Sequence, residues 1–199
     1  MQTTQTTVKP QTQPGFSSIP TRITELPPLI IDRSETTMKN QVTGSLRELS
    51  TNLAEIHRTA AEAYLSQGMR PEAIPHLEAA VTFAPTVIEY QNQLGFVCYL
   101  LGDDKGAIES FQTVLSIDQN HPDALFNLGM VMFGKDQLAE AEECFRRSLE
   151  VNGNDPQVWN NRGVCLQRLA RIDEARACFE RALQIDPNDS DAKFNLAQM

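Results

Sequence analysis

Apolar residues settle into a helical rhythm from about residue 45 of the chain. Leu46, Leu49, Leu53 and Ile56 stand at i, i+3, i+7 and i+10, which is one face of a helix. Ser45 and Glu48, at the head of that run, have the spacing of a capping box, in which each side chain satisfies the other's exposed backbone N–H. A helix is therefore predicted to begin near residue 45, longer than those that follow and covering the end of the array behind it. From residue 54 the pattern recurs at a fixed period, in units that start at 54, 88, 122 and 156, with a partial one at 190. Each full unit holds two apolar-periodic helices separated by Gly or another residue that tolerates a turn. Pro71 suits the opening of a second helix, whereas Pro75 should bend that helix or delay its start.

Residue types recur along with polarity. Residues 156–189 carry Trp159, Arg162, Gly163 and Leu166, then Ala175 and Phe179, then Ala182 and Pro187. Residues 122–155 give Leu125, Leu128, Gly129, Met132, Ala141, Phe145 and Ser148, and residues 88–121 give Leu94, Gly95, Cys98, Gly102, Ala107, Phe111 and Val114. Residues 54–87 give Ala61, Tyr64, Gly68, Ala73, Leu77, Ala80 and Pro85. This series resembles the tetratricopeptide repeat family, whose pattern is W-x2-L-G-x2-Y…A-x3-F…P. Arg162 and Leu166 depart from the pattern, and Gly153 stands where Pro is usual. No single unit can bury its apolar face alone, so neighbours must stack. The expected fold class is all-α, a right-handed α-solenoid of antiparallel helix pairs. A repeat domain is expected over 45–199.

One polar position recurs in strict register. Asn127, Asn161 and Asn195 occupy the same place in successive units, with Gln93 in the preceding one. Asn is a mediocre helix former, so its retention asks for a reason. The resemblance implies that first helices line the concave surface, with the second, fifth, sixth, ninth, twelfth and thirteenth places of each unit facing inward. Those places hold Asn92, Gln93, Phe96, Tyr99 and Leu100, then Phe126, Asn127, Met130 and Phe133, then Gln157, Asn160, Asn161, Val164, Gln167 and Arg168, and finally Phe194 and Asn195. An amide offers both a donor and an acceptor, so a row of amides can hold a peptide backbone without reading its sequence. The row is similar to the asparagine ladder in the repeat region of O-GlcNAc transferases, whose catalytic domain has no counterpart here. Phe96, Tyr99, Phe126, Met130 and Phe133 are the expected apolar anchors. Duplication of one unit is the competing origin of the register. The family's two-carboxylate clamp, which needs Lys and Arg on three consecutive first helices, is excluded by the Gln, Asp and Asn found at those places.

The formal charge of −9 argues against nucleic acid or an anionic membrane as the main partner. Residues 1–44 are rich in Thr, Gln and Pro and are expected to form a disordered tail. Within them "LPPLIID" at 26–32 reads either as a docking motif or as a sticky stretch of linker. No apolar run approaches the ~20 residues that cross a bilayer, and the N-terminus lacks the apolar region of a secretory signal. Cys98, Cys144, Cys165 and Cys178 show no C-x-x-C pair and no His at metal spacing, as expected of reduced packing thiols in a cytoplasmic protein. His57, His76 and His121 form no ligand motif, and no nucleophile elbow or phosphate loop is present. The acidic run Glu140, Glu142 and Glu143 is expected on a solvated outer face. These readings point to no cofactor and argue against an enzyme. The expected role is that of an adaptor, chaperone or scaffold, with another protein held in the groove. The alternative is a self-assembling scaffold that oligomerises through its C-terminal repeat or its N-terminal tail.

Overall fold

The computed structural model describes residues 33–199. Among the described residues there are nine helices and no strand: α1 (Arg33–Ser66), α2 (Arg70–Phe83), α3 (Ile88–Leu100), α4 (Asp104–Ile117), α5 (Pro122–Gly134), α6 (Leu138–Val151), α7 (Pro156–Arg168), α8 (Ile172–Ile185) and α9 (Ser190–Ala197). The starts of α3, α5, α7 and α9 are evenly spaced, and those of α2, α4, α6 and α8 have the same spacing, so the sequence period is the structural period. Residues 44–199 form one compact unit, an all-α solenoid in which each helix packs on its sequence neighbour.

The packing within each pair is set by a small residue facing a large one. A Cβ on Gly95, Gly129 or Gly163 would lie 2.8, 2.6 or 2.5 Å from the ring of Phe111, Phe145 or Phe179. All three rings are fully buried. In the first repeat Ala61 takes the glycine's place and the facing residue shrinks to Leu77, again with both fully buried. The pair thus keeps its volume, as a close-packed interior demands. Truncating one of these rings to Ala would cost about 3–5 kcal/mol. Ala73, Ala107, Ala141 and Ala175, one per repeat and all fully buried, let second helices approach equally closely.

The turns are as regular as the cores. Gly68, Gly102, Asp136 and Ala170, one per repeat at the same place, have φ of 76°, 79°, 64° and 60°. A left-handed residue reverses the chain between the paired helices. Glycine adopts it without penalty, whereas Asp136 and Ala170 carry a Cβ against it. Helix starts are capped by side chains from the inter-repeat turns. Asp155 accepts from the backbone N–H groups of Gln157 and Val158, Asp189 from those of Asp191 and Ala192, and His121 Nδ1 from that of Ala124.

Four expectations need correction. Helix α1 does not start at a capping box: Ser45 and Glu48 lie well inside it, and residues 33–44, expected in the tail, are helical. Met38 and Val42 extend the apolar spacing backwards, so propagation over that stretch is easier than a fresh nucleation at 45. The tail over 1–32, including "LPPLIID", lies outside the described residues. Leu46, Leu49, Leu53 and Ile56 do not face the array; they are 40–63% exposed, and α1 buries the adjacent stripe of Ala54 and Ala61 instead. Pro75 does not delay its helix, since α2 opens at Arg70 with Pro71 in its first turn and runs through Pro75. Finally, Glu142 is not on a solvated face but is buried.

Candidate functional site

The first helices α3, α5, α7 and α9 recur one per repeat, and cross-repeat contacts join expected groove residues of α5, α7 and α9. The Asn195 amide on α9 donates to Asn160 Oδ1 on α7 at 2.9 Å. Asn161 on α7 donates to the thioether of Met130 on α5 at 3.4 Å. The Arg168 guanidinium sits 5.2 Å above the ring of Phe133 and pairs with Asp136 at 2.5 Å. Each of these contacts joins one repeat to the next, so stacking of repeats creates this surface.

The row is not uniform. Asn160 is buried, and Asn195 satisfies its carbonyl oxygen. On α3, by contrast, Asn92 Oδ1 and Gln93 Oε1 are buried atoms with no hydrogen-bond partner among the described residues. Nearby on the same helix Phe96 is 44% exposed. Buried acceptors without donors are uncommon, because each forgoes the hydrogen bond that water would have given it. The expected anchors divide in the same way. Phe126 tilts against the fully buried Phe145, with ring centroids 5.8 Å apart, and packs with Met130 and Phe133 on the core between α6 and α7. Tyr99 packs on the core built from α3, α4 and α5. Phe96 is the anchor presented most openly.

Charge in the row is largely self-compensated. Arg58 on α1 pairs with both Glu55 and Glu62. The Tyr90 hydroxyl donates to Glu55, and with Arg58 it holds that carboxyl below its ordinary range. The C-terminal end is acidic. There a polar cleft of about 410 Å³ is walled by Gln157, Asn160, Asn161, Asp186 and Asp189. A second cleft of about 490 Å³ lies between α2, α3 and α4, lined by Glu78, Cys98, Asp103 and Glu109, and shares no residue with the row.

Other functional groups resolve into structure. Arg162, which takes the place of a family leucine, bonds to the buried Glu142 at 2.8 Å, and Arg171 approaches the same carboxylate at 3.7 Å. Arg162 also lies over the Trp159 ring at 5.9 Å. The four cysteines are free thiols. Burial pushes Cys144 and Cys178 up to about 11 and Cys165 up to about 12, so each stays protonated and a poor nucleophile. His57 and His76 come together with their Nδ1 atoms 3.0 Å from each other, one ring donating to the other. Nothing in their sequence spacing announces that pair; it arises from α1 packing on α2. Among the described residues no group of His, Cys, Asp and Glu could hold a metal, and no helix is long and apolar enough to cross a membrane.

Comparison with known proteins agrees with this architecture. Residues 100–162 and 156–189 match tetratricopeptide repeat family models. No curated protein matches the chain in sequence. Among solved structures, MamA from Desulfovibrio magneticus RS-1 superposes with a TM-score of 0.69 at 20% identity, over 73% of this chain and 82% of that one. PilF from Pseudomonas aeruginosa gives 0.68 at 18% identity, over 75% and 68%. The first repeat domain of Spaghetti (RPAP3), bound to the HSP90 peptide SRMEEVD, gives 0.54 at 22% identity, over 56% and 88%. Residues 100–189 thus match tetratricopeptide repeat models, and the chain shares the helical-repeat fold of these structures.

Proposed function

We propose that the first-helix row binds an extended segment of another protein, and that α3 is where the segment is gripped. The observation that carries this reading is the half-exposed Phe96 on α3, which stands on the same helix as the unpartnered Asn92 and Gln93 amide oxygens. An apolar side chain of the peptide covers Phe96, and the Gln93 amide oxygen meets a peptide N–H once its side chain turns outward. Asn127 extends the row on α5, while Asn161 and Asn195 stiffen its far end through Met130 and Asn160. Peptide recognition on this fold has a precedent in the Spaghetti repeat bound to SRMEEVD. An acidic peptide of that kind does not suit this row, where Arg58 and Arg168 already face carboxylates and the C-terminal cleft is lined by aspartates. The expected segment is neutral or basic and carries at least one large apolar residue.

Panning a random peptide library against the full chain, followed by titration of the selected peptides, tests this directly. Peptides should be enriched for an apolar residue flanked by neutral or basic ones, and Phe96→Ala should weaken them at least tenfold. Enrichment of acidic peptides, or binding indifferent to Phe96→Ala, would overturn the assignment. Self-assembly is the second reading, and the exposed apolar stripe on α1 favours it specifically.

A further inference from the structure

The cleft between α2, α3 and α4 has a counterpart two repeats on. A smaller cleft of about 280 Å³ lies between α7 and α8, and every residue lining it stands two repeats after a residue lining the larger one. The two are the same notch between paired helices, filled differently. In the fourth repeat Trp159, Arg162, Glu174 and Arg181 stand in it, and Arg162 bonds to the buried Glu142 at 2.8 Å. In the second repeat the same places hold Gln91, Leu94, Gly106 and Thr113. Both guanidinium groups are gone, and the cleft is about 490 Å³.

What remains is an acidic rim over an apolar floor of Ile74, Leu94 and Leu101. Glu78, Asp103 and Glu109 line the cleft, and no Lys or Arg does. Lys105, itself on the surface, reaches Glu109 at 3.6 Å, whereas Glu78 and Asp103 form no ion pair among the described residues. Asp103 caps α4 by accepting from the Gly106 N–H at 3.0 Å. A Cβ on Gly106 would lie 2.3 Å from the other Asp103 oxygen and 3.2 Å from Cys98 Sγ. Glu72, Glu140 and Glu174 occupy that place in the other repeats, so a glycine that is a poor helix residue keeps this one open. Burial, and after it the Asp103 and Glu78 carboxylates, push the Cys98 thiol up, so both charges act on the cleft's interior.

A buried hydroxyl adds a second, independent sign of a ligand. Ser110 is only 3% exposed and lines the cleft, yet its side chain makes no hydrogen bond among the described residues. Its helix neighbours Thr113 and Ser116 bond back to the carbonyls of Glu109 and Thr113. A buried hydroxyl that forgoes this local partner is uncommon, and it leaves an acceptor open to an N–H donor.

We propose that this cleft seats an arginine side chain of a partner protein, its guanidinium facing Glu78 and Asp103 and donating to Ser110 Oγ. The methylene stem lies on the apolar floor. Arginine suits the site better than lysine, because its planar fork serves two carboxylates and a hydroxyl at once. The uncompensated carboxylates set the sign of the occupant, and the fourth repeat sets its shape, since the chain's own Arg162 lies in the equivalent notch. The cleft shares no residue with the first-helix row, so it stands independently of the peptide-binding reading.

Titrating the isotope-labelled full chain with N-acetyl-arginine amide, followed by NMR, tests the assignment. The amide resonances of Gly106 and Ser110 should shift saturably, with a dissociation constant of about 1 mM. N-acetyl-citrulline amide, of the same shape but uncharged, should bind about fivefold or more weakly. Glu78→Gln should weaken the arginine compound by a similar factor at an unchanged melting temperature, since that carboxylate has no ion pair in the fold. Thr113→Arg, which returns to this place the residue type of Arg147 and Arg181, should fold like the wild type and abolish binding. Equal affinity for the citrulline compound, binding that survives Thr113→Arg, shifts confined to the first-helix row, or no saturable shift would each overturn the proposal. Tighter binding of free arginine, whose own carboxylate meets the acidic rim, would overturn the assignment to a protein segment.

Discussion

At α7 and α9 the amides of the row bond to one another or to their neighbours: Asn195 donates to the buried Asn160, Asn161 to Met130, and Arg168 caps Phe133 while pairing with Asp136. At α3 the same kind of residue, in the corresponding place of its repeat, has acceptors with no donor and a phenylalanine turned half toward solvent. The difference teaches that a repeat register does not assign a role. An amide bonded across repeats contributes rigidity, and one left unsatisfied contributes affinity for whatever brings the missing donor. On the proposed reading, the C-terminal end of this row is its rigid part and the α3 end is where a partner is gripped.

The contrast breaks most visibly at the buried carboxylate of the C-terminal half. Arg162→Ala leaves Glu142 in a dry environment with Arg171 as its remaining, longer-range partner, and should cost about 3 kcal/mol in urea unfolding. A loss under about 1 kcal/mol would mean that water reaches Glu142 and that this half is less rigid than described. Asn195→Ala should cost about 1–2 kcal/mol, because it strands Asn160 Oδ1, and should leave peptide affinity within twofold. If affinity collapses while stability holds, the two halves have exchanged roles.

Gln93→Met probes the opposite end. It replaces an unsatisfied acceptor with an apolar chain of similar length, so stability should be unchanged or higher by up to about 1 kcal/mol while peptide affinity falls at least tenfold. A destabilised Gln93→Met would show that the amide already has a partner in the folded chain. The smallest effect is expected at the turns, where Gly102 serves the N-terminal half and Ala170 the C-terminal one. Ala170→Gly removes the strain of a Cβ at φ 60° and should raise stability by about 0.5 kcal/mol, net of the extra freedom glycine has when unfolded. The same substitution at a right-handed helical position would lower it.

Much of the fold was legible because the chain states its rule four times. Evenly spaced helix boundaries, the Gly–Phe pairs at 95–111, 129–145 and 163–179, and the turn position all repeat in the sequence as they do in space. Legibility failed where a residue's neighbour comes from another helix, whether of the same repeat or the next. Glu142 reads as one of several acidic residues on an outer helix until Arg162 is seen bonded to it. His57 and His76 read as unrelated until α1 packs on α2. The start of α1 was misplaced because Ser45 and Glu48 have capping spacing in any context, and propagation from an existing helix overrides a local cap.

The sequence by itself determined the periodicity, the all-helical class and the small-against-large pairing of each repeat, since these depend on contacts within one unit that recur from unit to unit. Only the tertiary structure decided which apolar face of α1 is buried and which is left open, because both faces satisfy helical spacing and only packing against α2 and α3 distinguishes them. It likewise decided which amides of the row are already bonded and which lack a donor. Hydrogen-bond satisfaction is a property of atoms brought within about 3 Å across repeats, and nothing in a one-dimensional register fixes that distance.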